Sequence, residues 1–303
     1  MRNTFAQAFY EAGLQDDRLT MVVADISPAG SIQKFVDDFP NRFINTGVAE
    51  QIMIGLCAGM ALRGLRPFAY TIATFTIFRP YEFVRDDLCY QNLPVTIVGI
   101  GSGVSYSTLG GTHNAMEDIA LGCALPNMQV IAPSDSIEVR EATLWCTKEN
   151  ANPCYLRLSR VGDEPLSEGA LEPWRFGKAR YLRKGEDVCV LTYGATLKMA
   201  MQVADAMTER GESVSLVTLS TIKPLDQEGV IDLMRRHKRL VVIEEAVPSG
   251  SLGGAIKQLA WDVQADCKLH VFSLQDAFIH VYGSHDDILA AHGLSAEQIL
   301  VKL

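Results

Sequence analysis

Two polar residues, Glu50 and Gln51, interrupt an otherwise apolar run from Val48 to Leu62, and an acid in that setting is the first candidate for chemistry. The run follows Gly47 and reads as a helix apolar nearly all round, which predicts burial between layers. Burial raises the proton affinity of an unpaired carboxylate, and such a group can exchange a proton with a nitrogen heterocycle. The same placement suits a structural acid held at a helix N-terminus by free amides and the dipole. Downstream, Ala73–Tyr81 (ATFTIFRPY) spaces Phe75, Phe78 and Tyr81 three apart, so a helix would present them on one face. That stripe is either core or an aromatic wall able to stack on a flat ring. Gly99–Asp118 (GIGSGVSYSTLGGTHNAMED) is rich in glycine but has neither GxGxxG spacing nor a following GK[ST], so it is no phosphate loop. His113 stands in it, as a satisfied structural histidine or as a proton-transfer group. Asp25 closes the apolar run VVAD, as a helix cap or a site acid. Arg160, in LRLSR, is an anion ligand or a partner in a linker-side ion pair.

The elements that must carry these residues alternate. Strands are expected at Leu19–Ala24, Pro67–Ile72, Val95–Ile100, Met128–Ala132 and Pro153–Leu158. Helices are expected near Ser31–Phe39, Val48–Leu62, Phe78–Gln91, Ala115–Leu125 and Ser136–Asn150, after an amphipathic N-terminal helix. The Pro-, Gly- and acid-rich stretch Arg160–Lys178 reads as a linker. A second series follows, with strands at Val188–Tyr193, Val214–Leu219, Leu240–Glu244 and Leu269–Ser273 and helices at Leu197–Arg210, Asp226–His237 and Leu252–Val263. Continuous apolar strands alternating with helices imply two doubly wound α/β domains with largely parallel sheets. The expected division is 1–165, a linker at 166–180, and 181–303. The glycine loop follows a strand, at the carboxyl edge where such folds place ligands.

At 303 residues the chain has room for two cores, and its net charge of -9 argues against nucleic-acid or anionic-membrane partners. No apolar run is long enough to span a bilayer and the first residues are not a signal peptide, so a cytoplasmic location is expected. Cys57, Cys89, Cys123, Cys146, Cys154, Cys189 and Cys267 never form CxxC, which suits reduced core thiols better than disulfides or a zinc site. The six histidines show no HxxxH spacing.

The segment NTGVAEQ, with VVADISP before it and THNAMEDIALGCALPNMQVIAPSD, TIKPLD and YGSHDDILAAHGLSAEQI after it, resembles the C-terminal half of transketolase from end to end. Less closely it is similar to the same half of 1-deoxyxylulose-5-phosphate synthase. The resemblance implies a thiamine-diphosphate pyrimidine-binding domain followed by a transketolase C-terminal domain. It makes Glu50 the acid that hydrogen-bonds the cofactor's aminopyrimidine, Phe75, Phe78 and Tyr81 the lining of that ring's pocket, and Asp25 a neighbour of the thiazolium. It places His113 near the reacting carbons and Arg160 on a substrate phosphate. The synthases usually have arginine where Phe78 stands, so Phe78 favours transketolase-type chemistry.

Three positions depart from the sugar-phosphate transketolases. Leu109 replaces an aspartate that contacts substrate hydroxyls, Gly101 stands at an upstream histidine, and Ala29 at a phosphate-site serine. Losing a hydrogen-bond acceptor leaves a polyhydroxylated substrate poorly held. The family's Gly-Asp-Gly metal motif is also missing, since the only Gly-Asp, Gly162–Asp163, is followed by Glu164. The resemblance therefore implies a split enzyme. A separate N-terminal subunit would hold Mg²⁺ (or Ca²⁺) and the diphosphate, in an α₂β₂ assembly acting on a sugar and an aldehyde. The expected reaction is transfer of a two-carbon ketol group from a ketose to an aldehyde. The alternatives are the β-type subunit of a 2-oxoacid dehydrogenase or a decarboxylating carboligase, and, third, a non-catalytic scaffold subunit. Nothing in the second domain suggests catalysis, and Glu244 and Glu245 are read as solvated or interface carboxylates.

Overall fold

A computed structural model describes residues 1–26 and 31–303; Ala29 lies outside the described residues. The first sheet contains β1 (Leu19–Val23), β2 (Phe43–Asn45), β3 (Arg66–Ile72), β4 (Thr96–Ile100), β5 (Gln129–Ile131) and β6 (Cys154–Leu158). These run in the order β5-β6-β4-β3-β1-β2, and every pairing among them is parallel. Helices α1 (Arg2–Gly13), α2 (Ser31–Asp38), α3 (Glu50–Leu62), α5 (Asp118–Ala124) and α6 (Ser136–Lys148) accompany it, with a single α-turn, α4 (Tyr81–Phe83), between two π-helical stretches. Strands β1, β4 and β6 are buried along their whole length, as continuous apolar runs in a covered parallel sheet must be.

The second sheet has β7 (Arg180–Arg183), β8 (Val188–Thr192), β9 (Val214–Thr218), β11 (Arg239–Ile243) and β12 (Lys268–Phe272), in the order β12-β11-β8-β9-β7. It is parallel except for β7, which lies antiparallel to β9. Helices α7 (Leu197–Glu209), α8 (Gln227–Arg236), α9 (Leu252–Asp262), α10 (His285–Ala291) and α11 (Ala296–Lys302) pack with it. Three short strands were not foreseen, because three or four residues are too few to show a period. One of them, β10 (Thr221–Lys223), follows β9 yet joins the first sheet, antiparallel to β5. Lys223 Nζ there donates to the carbonyls of Cys123 and Leu125 at the end of α5. Among the described residues no helix is long and apolar enough to cross a membrane.

Two expectations need correction. Helix α3 is not sandwiched between layers. Met53, Ile54, Cys57 and Ala58 face the core, whereas Ile52 and Leu62 are each 63% exposed. A helix apolar on every side carries no periodicity to reveal that only one face is covered. Glu244 and Glu245 are not solvated either; both are buried at the end of β11. The stretch after Ser159 is also anchored. The Ser167 N–H donates to Asp135, Trp174 Nε1 to Ser220, and Trp145 stacks on Phe176 at 3.9 Å.

The seam between the sheets is buried and ionic. Arg157 of β6 donates through Nε to both oxygens of Asp118 on α5 (3.1 and 2.9 Å) and through Nη2 to the Glu245 carbonyl (2.8 Å). Beside it Glu244 accepts from the Ser251 hydroxyl, the Gly253 N–H and the Tyr193 hydroxyl. Burial outweighs those bonds and the Arg157 charge, and pushes the Glu244 carboxyl up from 4.5 to about 7. A raised carboxyl pKa stabilises the fold fully below the unfolded value and loses that contribution as pH climbs through the folded value. Glu244→Gln imitates the protonated form and keeps the three hydrogen bonds within reach. The variant should melt with the wild type at pH ~4.5 and above it at pH ~8. Parallel melting curves at both pH values would refute the buried titration.

Candidate functional site

Every candidate residue leaves the carboxyl end of a parallel strand of the first sheet. Asp25 follows β1, Glu50 follows β2, Phe75 to Tyr81 follow β3, His113 follows β4, and Arg160 follows β6. That edge is where an open α/β sheet places its ligands.

Asn45, the last residue of β2, sets the first two. Its Oδ1 accepts the Asp25 N–H (3.1 Å) and the Gly47 N–H (2.9 Å). Gly47 has φ +71°, a left-handed turn that swings the chain from β2 into α3 and brings Glu50 into its first turn. Glu50 is buried, 4% exposed, and its Oε1 accepts from Arg79 Nη1 at 2.7 Å. Among the described residues no protein donor reaches Oε2 within the hydrogen bonds that Glu50 makes. Asp25 is exposed, with φ 47°.

Arg79 arrives by way of a change of helix type. Thr74–Phe78 is π-helical, with the Thr76 hydroxyl donating back to the Ile72 and Ala73 carbonyls. Wide turns of this kind concentrate at functional sites. They also separate the aromatic triad that an α-helix would have aligned. Phe75 turns toward the loop of β4, with the Arg79 guanidinium 3.9 Å from its centroid and the His113 ring 5.3 Å away, edge-on. Phe78 and Tyr81 instead pack against the main core, and the Tyr81 hydroxyl donates to the Leu121 carbonyl at 3.0 Å.

The loop after β4 is closed at its neck by two hydrogen bonds between Gly103 and Ala115 (3.1 and 2.8 Å). Within it His113 is half-buried; its Nδ1 shares a 2.9 Å hydrogen bond with the Thr112 hydroxyl, and its ring lies edge-on 5.8 Å from Tyr106. Burial lowers the imidazole pKa, and the Arg79 charge lowers it further. Leu109 is half-exposed in the same loop. Gly101 has φ +74°, and the Tyr106 ring fills the space a Cβ would need, so no larger residue fits there in this loop. On the far side of Tyr106 the exposed Arg160 holds its guanidinium 5.4 Å from the ring centroid.

The result is one continuous arc, Glu50–Arg79–Phe75–His113–Tyr106–Arg160. Asp25 stands beside it through Asn45, and Phe78 and Tyr81 behind it. Asn45, Arg79 and Tyr106 join the site although nothing in the sequence pattern singled them out. The signals available were an amide two residues before a turn glycine, a cation beside an aromatic stripe, and an aromatic within a glycine loop. Among the described residues no cluster of three His, Cys, Asp or Glu side chains is placed to hold a metal.

The structure is thus a two-domain α/β chain with a buried acid, aromatic rings and a histidine along one strand edge. The chain belongs to the transketolase family. Residues 1–161 match the transketolase pyrimidine binding domain and residues 177–299 the transketolase C-terminal domain. It is 30% identical over 302 residues to a subunit of the apulose-4-phosphate transketolase of Actinobacillus succinogenes, covering 99% of this chain and 96% of that one. It is 32% identical over 298 residues to 1-deoxy-D-xylulose-5-phosphate synthase of Acaryochloris marina, of which it spans 46%. A solved structure described as a split gene transketolase, an inactive β4 tetramer, superposes with a TM-score of 0.89 at 30% identity, over 99% of this chain and 95% of that one.

The Arg79 guanidinium and the His113 ring both meet the Phe75 ring, and the Arg79 charge lowers the His113 pKa. Arg79→Gln should therefore raise the His113 titration midpoint, read from its ring carbon–proton resonances. An unmoved midpoint would show that burial alone sets it.

Proposed function

We propose that this chain is the C-terminal subunit of a split, thiamine-diphosphate-dependent transketolase, active only with an N-terminal subunit. One observation carries the reading: Glu50 is a buried carboxylate with one oxygen fixed by Arg79 and the other free of protein donors among the described residues. An aminopyrimidine offers a ring nitrogen to such an oxygen, and the half-buried Phe75 and Phe78 offer aromatic surface to the ring. The residues present thus fit the cofactor's pyrimidine end, with Tyr81 bracing the wall through Leu121 and Asp25 facing the site from β1. The partner would supply Mg²⁺ (or Ca²⁺) and the diphosphate contacts. We divide the chain at 1–165 and 181–303, with the anchored linker between, and expect an α₂β₂ assembly.

The cofactor, when bound, supplies an electron sink for breaking and making a carbon–carbon bond beside a carbonyl. This chain's side chains do the rest. Glu50 holds a proton at the pyrimidine nitrogen, and Arg79 keeps its carboxylate oriented. His113, kept neutral by burial and by Arg79, accepts and returns a proton at the substrate hydroxyl or carbonyl. Arg160 holds an anionic group at the outer end of the arc. The transfer proposed is of a two-carbon ketol unit from a ketose to an aldehyde.

Leu109 favours a second reading. An exposed apolar side chain where the sugar-phosphate enzymes have an acid gives a polyhydroxylated substrate nothing to bind. A 2-oxoacid, as used by dehydrogenase β-type subunits and decarboxylating carboligases, needs only the Arg160 cation and the cofactor. The test co-purifies this chain with its N-terminal partner and assays ketoses and 2-oxoacids with thiamine diphosphate and Mg²⁺. The chain alone should be inactive. Glu50→Gln should preserve assembly and lower turnover by at least about 100-fold. Full activity in that variant would end the proposal.

A further inference from the structure

The loop that carries His113 belongs to the first domain by sequence and to the second by packing. Val104, just inside its neck, and Met116, just beyond it, are buried in the hydrophobic cluster of the second domain, with Val188, Val190, Val241 and Ile243. The Val247 N–H donates to the Met116 carbonyl at 3.0 Å. Glu245 reaches the other side of the neck, where its Oε1 accepts the Val104 N–H at 2.7 Å and faces His285 Nε2 at 2.8 Å. Gly103 has φ +60°, and the Glu245 carboxylate occupies the space where its Cβ would stand. The tip is also touched: Gly110, three residues before His113, lies against the Tyr282 ring.

We propose that Glu245, held by His285, is a positioning residue that fixes the His113 loop, so that the second domain sets the geometry of the reaction centre. The proposal rests on the reading of His113 given above and adds a role for a domain in which the sequence suggests no catalysis.

A buried acid makes a good clamp only while it is charged and compensated. Burial raises the Glu245 pKa, but the His285 charge and hydrogen bond, Arg157 and the Val104 N–H outweigh it, and the group titrates below its ordinary value. Burial likewise opposes charge on His285, and Glu245 overcomes it, so the imidazolium persists above its ordinary pKa. Asp286 on α10 adds to that effect, and Arg157 on β6 subtracts. His292 beyond α10 feels the Glu245 charge, while Asp118, Tyr155, Tyr193 and Glu244 surround Arg157. The clamp is therefore complete above the Glu245 titration and below that of His285. It weakens as pH rises through the latter.

The test is backbone hydrogen exchange on the full chain, followed by kinetics in the complex, with Glu245→Gln and His285→Gln. Removing a charge-assisted hydrogen bond should cut the protection factor of the Val104 amide about tenfold in each variant. Amides of β8 should keep their protection. In the wild type the same local loss should follow the His285 titration upward in pH. In the complex, both variants should lower kcat, with KM for the donor changed less than about twofold. Unchanged protection at Val104, or an equal loss across β8, would overturn the clamp. So would a His285→Gln complex with wild-type kcat despite a loosened loop. If the wild-type complex turns over no substrate, the enzymatic reading fails by itself, and the exchange data still decide whether Glu245 positions the loop.

Discussion

Arg157 is a guanidinium almost wholly removed from water, and the way its charge is answered organises the molecule. An unpaired buried charge is prohibitive, and removing one partner of a buried pair costs about 3–5 kcal/mol. The compensation comes from two directions, Asp118 at the start of α5 and the Glu245 carbonyl at the end of β11, while the Tyr155 hydroxyl donates to Asp118 and holds it in place. A strand of the first sheet, the helix that follows the His113 loop, and a strand of the second sheet are thereby tied to one side chain. The loop from Gly101 to Glu117 begins beside β6 and ends at Asp118, so both of its roots sit on this ionic seam. The loop that carries His113 is thus rooted beside the place where one buried cation is neutralised.

The seam also explains why the two domains are not independent bodies. The largest core cluster contains Val22, Met53 and Tyr155 from the first domain and Cys189, Val217 and Ile256 from the second. Strand β10 crosses over to complete the first sheet. Glu138, in the first turn of α6, is buried between them, accepting from Thr218 at 2.6 Å and pairing with Arg180. Asp118, Glu138 and Glu244 are each matched by a cation or by several donors, the condition under which buried polar groups specify one arrangement without a large penalty, whereas Glu245 Oε2 has no hydrogen-bond partner among the described residues.

The alternation of apolar strands and helices was legible from composition and period, because a parallel sheet covered on both faces leaves a continuous apolar run at each strand. Glu50 and His113 were legible for another reason: an acid in an apolar helix and a histidine in a glycine loop are locally out of place. What could not be read were the consequences of contact. Arg79 looks like any surface cation until the π-helical turn brings it over Phe75 onto Glu50. Glu245 looks solvated until the Val104 amide, 141 positions away in sequence, is seen to dock on it. Gly101 looks like a lost side chain until the Tyr106 ring is found in its place. The π-helical turn changes what an α-helical spacing would give: Phe75 meets His113, while the half-buried Phe78 and Tyr81 pack against the core.

The chemistry of the arc follows from its order. Two cations flank its rings, each against an aromatic face: Arg79 on Phe75 and Arg160 near Tyr106. Cation–aromatic contact holds a guanidinium in place while leaving its donors free to engage carboxylates or phosphates. Arg79 directs its Nη1 at Glu50, while Arg160 is exposed. Between the two rings, His113 is edge-on to both and is disfavoured as a cation by burial and by Arg79. On the proposed reading, a neutral imidazole between a fixed carboxylate and an exposed guanidinium would take a proton from a substrate that the guanidinium holds. On the proposed reading the same arrangement would serve a ketose phosphate or a 2-oxoacid, and discrimination between them would fall to Leu109, which stands outside the arc.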